Sequence, residues 1–591
     1  MCGFVGIFAY SNNAPPVLDA ELLRIRDQMF HRGPDGEGLW ISSDKRIGLG
    51  HRRLSIIDLS ENGAQPMASL DCRYQIIFNG EIYNFKELRS ELELLGFNFR
   101  GNSDTEVLLS LYAHKGEAMC SSLRGMYAFA IWDNLTQSLF MARDPFGMKP
   151  LYWHDDGKTI RFASQVKALL AGGGIKTESE PAGLVGYWIW GSVPEPFTLY
   201  KDLLSLEPGT WLRIERDGKR ESGSFQSLFE LFSKSTSVTS NYSSLREALL
   251  DSVQAHLVSD VPVGIFLSAG IDSSSILGLA AECGAPLKSV TLGFKEFQGT
   301  SSDETVLAEL VAKRYGFNHE TVWISQQDFE DKLTHYIYSM DQPTIDGLNT
   351  YLVADAAAQS GLKVVLSGLG ADEFFGGYPS FHHIPKIRQL GQMLAMPPFL
   401  AKIIRQISAP IFRKFTSEKY AGLLEYGSCW EDAYLLRRAS IMPWALGVNQ
   451  NLDYQTINTG LERLSEYHLN DTKLNDLGDP FSIITFLEST KYMRNQLLRD
   501  NDWAGMSHSL EIRLPFLDIN LIKYLVWQRS QGLRLLKKDI ALTNLNPIHT
   551  ILNRPKTGFA TPVKHWIGNH QLKSNNSRGL HHWQKMVLSL I

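Results

Sequence analysis

The residue after the initiator is a cysteine, in the run Met1-Cys2-Gly3-Phe4-Val5-Gly6-Ile7-Phe8. Once Met1 is removed, the chain begins with a thiol whose own α-amino group can act as its base, a one-residue way of activating a nucleophile. Cys2 alone would carry little weight, but it does not stand alone. Arg32-Gly33-Pro34-Asp35-Gly36, His51-Arg52-Arg53-Leu54-Ser55, Phe78-Asn79-Gly80-Glu81-Ile82, Ser103-Asp104-Thr105-Glu106 and Arg143-Asp144-Pro145-Phe146-Gly147 follow it in order. A fork of donors such as Arg53 suits an α-carboxylate, and carboxylates such as Glu81 and Asp104 suit an α-ammonium. An amide beside a backbone N–H, Asn79 with Gly80, suits an oxyanion, each donor being worth about 2.7–4 kcal/mol. The same Asn-Gly pair after an apolar run also reads as a hairpin turn.

A second set lies further on. Phe266-Leu267-Ser268-Ala269-Gly270-Ile271-Asp272-Ser273 follows an apolar run and opens a helix. Its small residues let backbone N–H groups approach an anion where the helix dipole favours negative charge. It lacks the Gly-Lys-Ser/Thr ending of a Walker A loop. Leu366-Ser367-Gly368-Leu369-Gly370-Ala371-Asp372-Glu373 repeats the strand-then-small-residue plan. Asp272 and Asp372 would stand at the carboxyl ends of two strands of one sheet, where two carboxylates facing phosphates can hold Mg²⁺. Helix N-capping by each Asp is the plainer alternative.

The elements needed to position these groups can be read from the texture of the chain. Short alternating runs bounded by Asn, Gly and Asp turns fill the first ~200 residues and predict strands, interrupted by helices over 85–95 and 105–114. A strand pair is expected around Glu207-Pro208-Gly209-Thr210, then a polar linker through Ser233-Lys234-Ser235-Thr236-Ser237. After a helix over 244–257, apolar runs at 261–267, 288–292 and 362–366 predict buried parallel strands with crossover helices. The last ~200 residues read as mainly helical. The expected units are 1–225, a linker 226–243, and 244–591.

Bulk properties exclude several classes. A chain of 591 residues is too long for one core, so two or three domains are expected. A net charge of −5 leaves no basic footprint for nucleic acid. No apolar run reaches the roughly 18 residues that would span a bilayer, and the first residues lack the basic start of a signal peptide. Five scattered cysteines fit neither a disulfide framework nor zinc, and His382-His383 and His581-His582 read as surface pairs. A cytoplasmic location is expected.

In order, the first set of blocks resembles the class II, N-terminal-nucleophile glutaminase domain. The Ser268 segment resembles the pyrophosphate loop of ATP pyrophosphatases, usually Ser-Gly-Gly-x-Asp-Ser, with Ala269 replacing the first Gly of the pair. With residues 506–518 and Arg554-Pro555-Lys556-Thr557-Gly558-Phe559 added, the chain from Cys2 to about Trp566 resembles the glutamine-hydrolysing asparagine synthetase family. The resemblance implies an α+β N-terminal-nucleophile sandwich followed by an α/β parallel-sheet ATP-pyrophosphatase domain with a helical C-terminal part. It implies Cys2 as nucleophile, Asn79 and Gly80 as oxyanion donors, and Arg53, Glu81 and Asp104 around glutamine. It further implies ATP held by Phe266, Ser268, Gly270, Asp272, Ser273, Ser367 and Gly368, Mg²⁺ held by Asp272 and Asp372, and Lys556 facing the pyrophosphate. The partners are then glutamine, ATP and a carboxylate acceptor, aspartate by default. An internal ammonia passage is implied too, and a homodimer is plausible.

Two positions depart from the family pattern: Leu369 replaces a glutamate and Trp503 an arginine. Both point to an acceptor larger and less polar than aspartate, and a uronic acid sugar is the alternative.

Overall fold

The computed structural model describes residues 2–233, 238–447, 450, 452–544, 562, 566 and 576–590. The first half is built on two six-stranded sheets whose strand pairs are all antiparallel. One runs in the order Leu203–Ser205, Tyr152–Asp155, Thr159–Ala163, Gly3–Ala9, Ile47–Arg53, Gly36–Ile41. The other runs Arg220–Ser224, Thr210–Ile214, Ser138–Arg143, Gly125–Asp133, Tyr74–Ile82, Met67–Ala68. Phe4, Phe8, Leu49, Ile77, Ala130 and Met141 fill the space between the sheets. Helices Asp19–Gln28 and Val166–Ala171 cover the first sheet through Leu22, Ile25, Val166 and Leu169. Helices Phe85–Leu94 and Asp104–Lys115 cover the second through Leu88, Leu92, Leu108 and Leu111. With both faces of each sheet buried, a central strand such as Gly125–Asp133 is apolar almost throughout.

The plainer reading of Asn79-Gly80 fails, and two local expectations change. Asn79-Gly80 is no hairpin turn: the strand continues through it, with Asn79 opposite Ala128 and Gly80 opposite Tyr127. The strands flanking Pro208-Gly209 do not pair with each other. Leu203–Ser205 joins Tyr152–Asp155, whereas Thr210–Ile214 joins Ser138–Arg143 and Arg220–Ser224, so the corner carries the chain from one sheet to the other. Part of the predicted linker is ordered as well, as a short helix, Leu228–Phe232, whose Leu228, Leu231 and Phe232 are buried.

The second half holds a five-stranded parallel sheet ordered Asn318–Ile324, Lys288–Phe294, Val263–Phe266, Val364–Leu366, Glu511–Arg513. The chain enters at the middle strand, builds outward on one side, then returns to build the other. Strand order thus reverses between Val263–Phe266 and Val364–Leu366, which opens the crevice where ligands bind in such sheets. The remaining chain is mostly helical. One long rod consists of Pro480–Leu487, Glu488–Leu498 and Arg499–Met506, and its middle segment has π-helical hydrogen bonding. Wide turns of this kind often occur at functional sites.

Candidate functional site

Gly3 lies opposite Arg52 in the first sheet, so Cys2 and Arg53 share one edge. The facing strand Tyr74–Ile82 brings Asn79 to the same edge. Cys2 N donates to Asn79 Oδ1 at 3.0 Å. The other amide atom, Asn79 Nδ2, is buried without a hydrogen-bond partner among the described residues. Such an orphan costs about 1–3 kcal/mol, and it is a donor awaiting an anionic oxygen. Gly80 has φ +153°, and a Cβ there would come within 2.1 Å of Met126 O, so only glycine fits this strand crossing. Burial raises the Cys2 thiol, opposed by the N-terminal charge, the Leu54 N–H and Arg53. The resting thiol is therefore neutral and needs a base.

Arg53 is held by main-chain carbonyls: Nη1 donates to Ser60 O at 2.8 Å, and Nη2 to Ile57 O at 3.5 Å and to Asp58 O. Asp104 opens its helix behind the Ser103 cap. Its Oδ2 accepts Ile82 N at 3.1 Å, and burial lifts its carboxyl to about 6. Glu81, expected with Asp104 around glutamine, lies at the boundary with the second half, its Oε2 3.6 Å from Arg513 Nη2, and both atoms are buried without a hydrogen-bond partner among the described residues. Arg513 gives its closer contact to Glu511, at 2.5 Å from Nε, and it also donates to the carbonyls of His256 and Val258. Burial and then the Glu511 charge push the Glu81 carboxyl up, because the shared guanidinium favours Glu511. The floor of the glutaminase edge is thus built partly by the other half of the chain.

In the second half, Ser268 to Ser273 close on themselves. Ser268 N donates to Ser273 Oγ at 3.1 Å, Gly270 N to Ser268 Oγ at 3.2 Å, and Ser273 Oγ to Ser268 O at 3.0 Å. Ala269 is buried and is not among the residues with positive φ, so its extra methyl brings no backbone strain. Phe266 ends the middle strand, and Ser367 and Gly368 follow the neighbouring one. A Cβ on Gly368 would lie 2.9 Å from Asp272 Cβ, so the two loops touch because this residue has no side chain. Asp272 and Asp372 converge on one ammonium, with Lys537 Nζ 2.7 Å from Asp272 Oδ2 and 2.5 Å from Asp372 Oδ1. Burial works against that ammonium, but the two carboxylates outweigh it and raise its pKa. Two all-oxygen ligands able to reach one point fit Mg²⁺, which usually takes one or two carboxylates plus phosphates and water. Lys537 was not singled out in the sequence, since one lysine in Leu536-Lys537-Lys538 carries no local signal. Lys556 lies outside the described residues.

The two centres are joined. Arg32 Nε donates to Cys2 O at 3.1 Å, while Nη1 and Nη2 hold Asp502 at 2.7 and 3.1 Å, all of it buried. A small cavity of about 20 Å³, roughly one water, lies along this seam between Arg143, Tyr152, Asp341, Arg499 and Trp503. Trp503 does not present a flat wall to an acceptor. It is 2% exposed, packs against Tyr336 and Tyr351, and bonds Asp500 Oδ1 at 2.9 Å. A larger cavity, about 380 Å³, is lined by Lys419, Arg437, Arg438 and Lys491 with Trp190 and Tyr434. Arg438 is clamped between Tyr378 and Tyr492 and bound to buried Glu488, and Tyr378 OH donates to Glu373 beside Asp372 at 2.7 Å.

A thiol at the edge of a four-layer sandwich, tied by a buried ion pair to a helix of a second half that holds a parallel sheet with two converging loops, defines an N-terminal-nucleophile hydrolase fused to a nucleotide-type α/β unit. Comparison with known proteins narrows the class. Residues 1–225 match the glutamine amidotransferase domain family, and residues 244–590 match the asparagine synthase family. The chain is 36% identical over 588 residues to glutamine-hydrolysing asparagine synthetase 1 of Bacillus subtilis (strain 168), covering 96% of this chain and 88% of that protein. Synthetase 3 of the same organism is 31% identical over 547 residues, with coverage of 89% and 81%. Amidase chry2 of Gibberella zeae is 27% identical over 637 residues, with coverage of 96% and 90%. The chain belongs to the asparagine synthase family: it is a glutamine-dependent amidotransferase of the asparagine-synthetase type, an ATP-dependent ligase. Among the described residues no helix is long and apolar enough to cross a membrane.

Proposed function

We propose that residues 1–225 hydrolyse glutamine and that residues 244–591, after the linker 226–243, activate a carboxylate with ATP and pass it the ammonia. Arg53 holds the α-carboxylate of glutamine. Asp104 and Glu81 hold its ammonium, Glu81 through the buried Oε2 that has no hydrogen-bond partner among the described residues. The α-amino group of Cys2 takes the thiol proton as sulfur attacks the amide, while Asn79 Nδ2 and the Gly80 N–H receive the oxyanion. Collapse of that intermediate breaks the C–N bond and expels ammonia, which takes the proton back from the α-ammonium, and water then hydrolyses the thioester to glutamate. In the second half, the backbone of Ser268, Gly270 and Ser273 cradles phosphates, with Phe266, Ser367 and Gly368 completing the ATP site. Bound to Asp272 and Asp372, Mg²⁺ would screen phosphate charge. Lys537 and Lys556 supply positive charge toward the departing pyrophosphate, and ammonia displaces AMP from the acyl-adenylate.

The observation that carries this reading is Arg32, which holds the nucleophile's own carbonyl with one edge and Asp502 of the other half with the rest. Aspartate is the default acceptor, matching the names of the bacterial relatives. The second reading, a carboxylate larger and less polar than aspartate such as a uronic acid sugar, is supported by Leu369 and by the 380 Å³ cavity, whose lysines and arginines would face its single carboxylate. A cytoplasmic setting supplies ATP and glutamine, and a homodimer is the assembly we propose. The test is AMP and pyrophosphate release by the full chain with glutamine, ATP and Mg²⁺, with and without aspartate. Aspartate-dependent release with asparagine formed selects the first reading, and release only with uronic acids selects the second. Glutamine hydrolysis without AMP release for any carboxylate would overturn both.

A further inference from the structure

Helix Pro398–Phe415 has eighteen residues and lies on the outside of the C-terminal half. Ala401 and Arg405 are its only buried residues. They seat it on the protein, Arg405 through Glu425 Oε2 at 2.6 Å and through the Trp444 ring. The opposite face should be polar in a helix resting on a globule. It is not. Phe399, Ile403, Ile407, Ile411 and Phe415, each four residues after the last, are 64, 46, 70, 57 and 85% exposed. Met393, at the end of the preceding helix Ser380–Met393, adds another exposed side chain at 74%. A stripe of five large apolar residues on one exposed face is a contact surface rather than chance exposure.

The charges around it indicate the partner. From residue 379 to 417 the chain has six Lys and Arg residues and no Asp or Glu; Arg388, Arg405 and Arg413 are paired with Asp471, Glu425 and Glu418, which leaves Lys386, Lys402 and Lys414 to face an outside anion. Lys402 and Lys414 are exposed beside the apolar stripe. This contrasts with a chain whose net charge is −5. Apolar side chains along one face, flanked by Lys402 and Lys414 while the nearest acids, Glu418 and Glu425, are held by Arg413 and Arg405, fit a helix lying in the headgroup layer of an anionic bilayer. The helix is too charged to span the bilayer, in keeping with the absence of any crossing helix among the described residues.

We infer that helix Pro398–Phe415 docks the enzyme, as a peripheral protein, on an anionic membrane surface. The stripe inserts to the depth of its Phe and Ile side chains, while Lys402 and Lys414 stay level with lipid phosphates. This does not depend on the identity of the acceptor.

The test is co-sedimentation of the full chain with vesicles of phosphatidylcholine containing about 30% phosphatidylserine, against pure phosphatidylcholine. Wild type should pellet with the anionic vesicles and dissociate as salt is raised. Ile407→Asp with Phe415→Asp should lose at least ~10-fold in partitioning. Lys402→Glu with Lys414→Glu should lose at least ~25-fold, about five-fold per cation removed. Both pairs should keep wild-type glutaminase activity, because all four side chains point into solvent away from Cys2 and Asp272. Equal pelleting of wild type and the Asp pair would overturn the inference. So would no pelleting on anionic vesicles, including the case where the stripe instead holds two copies together and the Asp pair converts a dimer to a monomer.

Discussion

Removing the carboxylate of Asp502 tests the join between the two centres. Arg32 is 2% exposed and Asp502 4%, and two hydrogen bonds of 2.7 and 3.1 Å connect them. Lys149 Nζ lies 3.9 Å from Asp502 Oδ1, its ammonium already disfavoured by burial. Asp502→Ala would therefore leave two cations facing each other with no counter-ion between them. A unit-charge pair at about 4 Å and an effective dielectric near 20 is worth ~4 kcal/mol. That agrees with the roughly 3–5 kcal/mol lost when one partner of a buried pair is removed. Replacing both residues with apolar ones, Arg32→Met with Asp502→Leu, should recover much of the stability, since Arg32 no longer needs a partner and Lys149, whose ammonium burial already disfavours, can give up its proton. Activity should part company with stability. Arg32 Nε fixes the carbonyl of Cys2, and a hydrogen bond from a charged donor is worth about 1.5–3 kcal/mol, or ~10–100-fold in rate if wholly expressed at the reacting atom. The double variant should fold well yet hydrolyse glutamine at least ~10-fold more slowly. The assays are the denaturant midpoint and the glutaminase kcat/KM of wild type and both variants. A midpoint for Asp502→Ala within 1 kcal/mol of wild type, or a double variant with full glutaminase rate, would refute the reasoning.

Cys2→Ala should abolish glutamine-dependent synthesis and leave ammonia-dependent synthesis near wild type; equal loss of both would contradict the division of labour. Asp372→Asn should lower acceptor-dependent ATP–pyrophosphate exchange by at least ~100-fold while sparing glutaminase, and unchanged exchange would remove Asp372 from the metal site. Asp104, lifted to about 6 by burial, must be ionised to hold an ammonium, so protonation below that pH weakens glutamine binding. The glutamine KM should rise about tenfold between pH 7 and pH 5, and a flat KM over that range would take Asp104 out of the glutamine pocket.

Much of both centres was legible in the sequence because each is built from short blocks at element ends. Cys2, Asn79, Gly80, Arg53 and Asp104 gather at one sheet edge, and Asp272 and Asp372 lie in the first turns of the helices that follow neighbouring strands, at the crevice that the strand-then-small-residue segments implied. What escaped was supplied from a distance. Arg513 and Glu511 reach Glu81 from a three-residue strand too short to show a period, and Lys537 meets the two aspartates across 265 and 165 positions. The π-helical segment could not be anticipated, since its apolar spacing differs too little from 3.6 to be seen over eleven residues. Trp503 misled because a substitution of cation by ring says nothing about whether the ring faces a ligand or the core. The Pro208-Gly209 corner misled in the same way, as a turn between two strands does not reveal that they belong to different layers.

The join at Arg32 also sets a timetable. Its partner Asp502 lies 470 positions further along the chain. At about 5–20 residues per second of synthesis, roughly 25–95 s pass between the emergence of one and of the other. The sandwich has cores of its own, between its sheets and beneath its helices, and can form on the ribosome in that interval. While it waits, Arg32 is solvated rather than paired, and Glu81 has no guanidinium opposite it. The nascent first half is thus a folded scaffold with an unfinished catalytic edge, and the edge is completed only when the end of the chain arrives to close it.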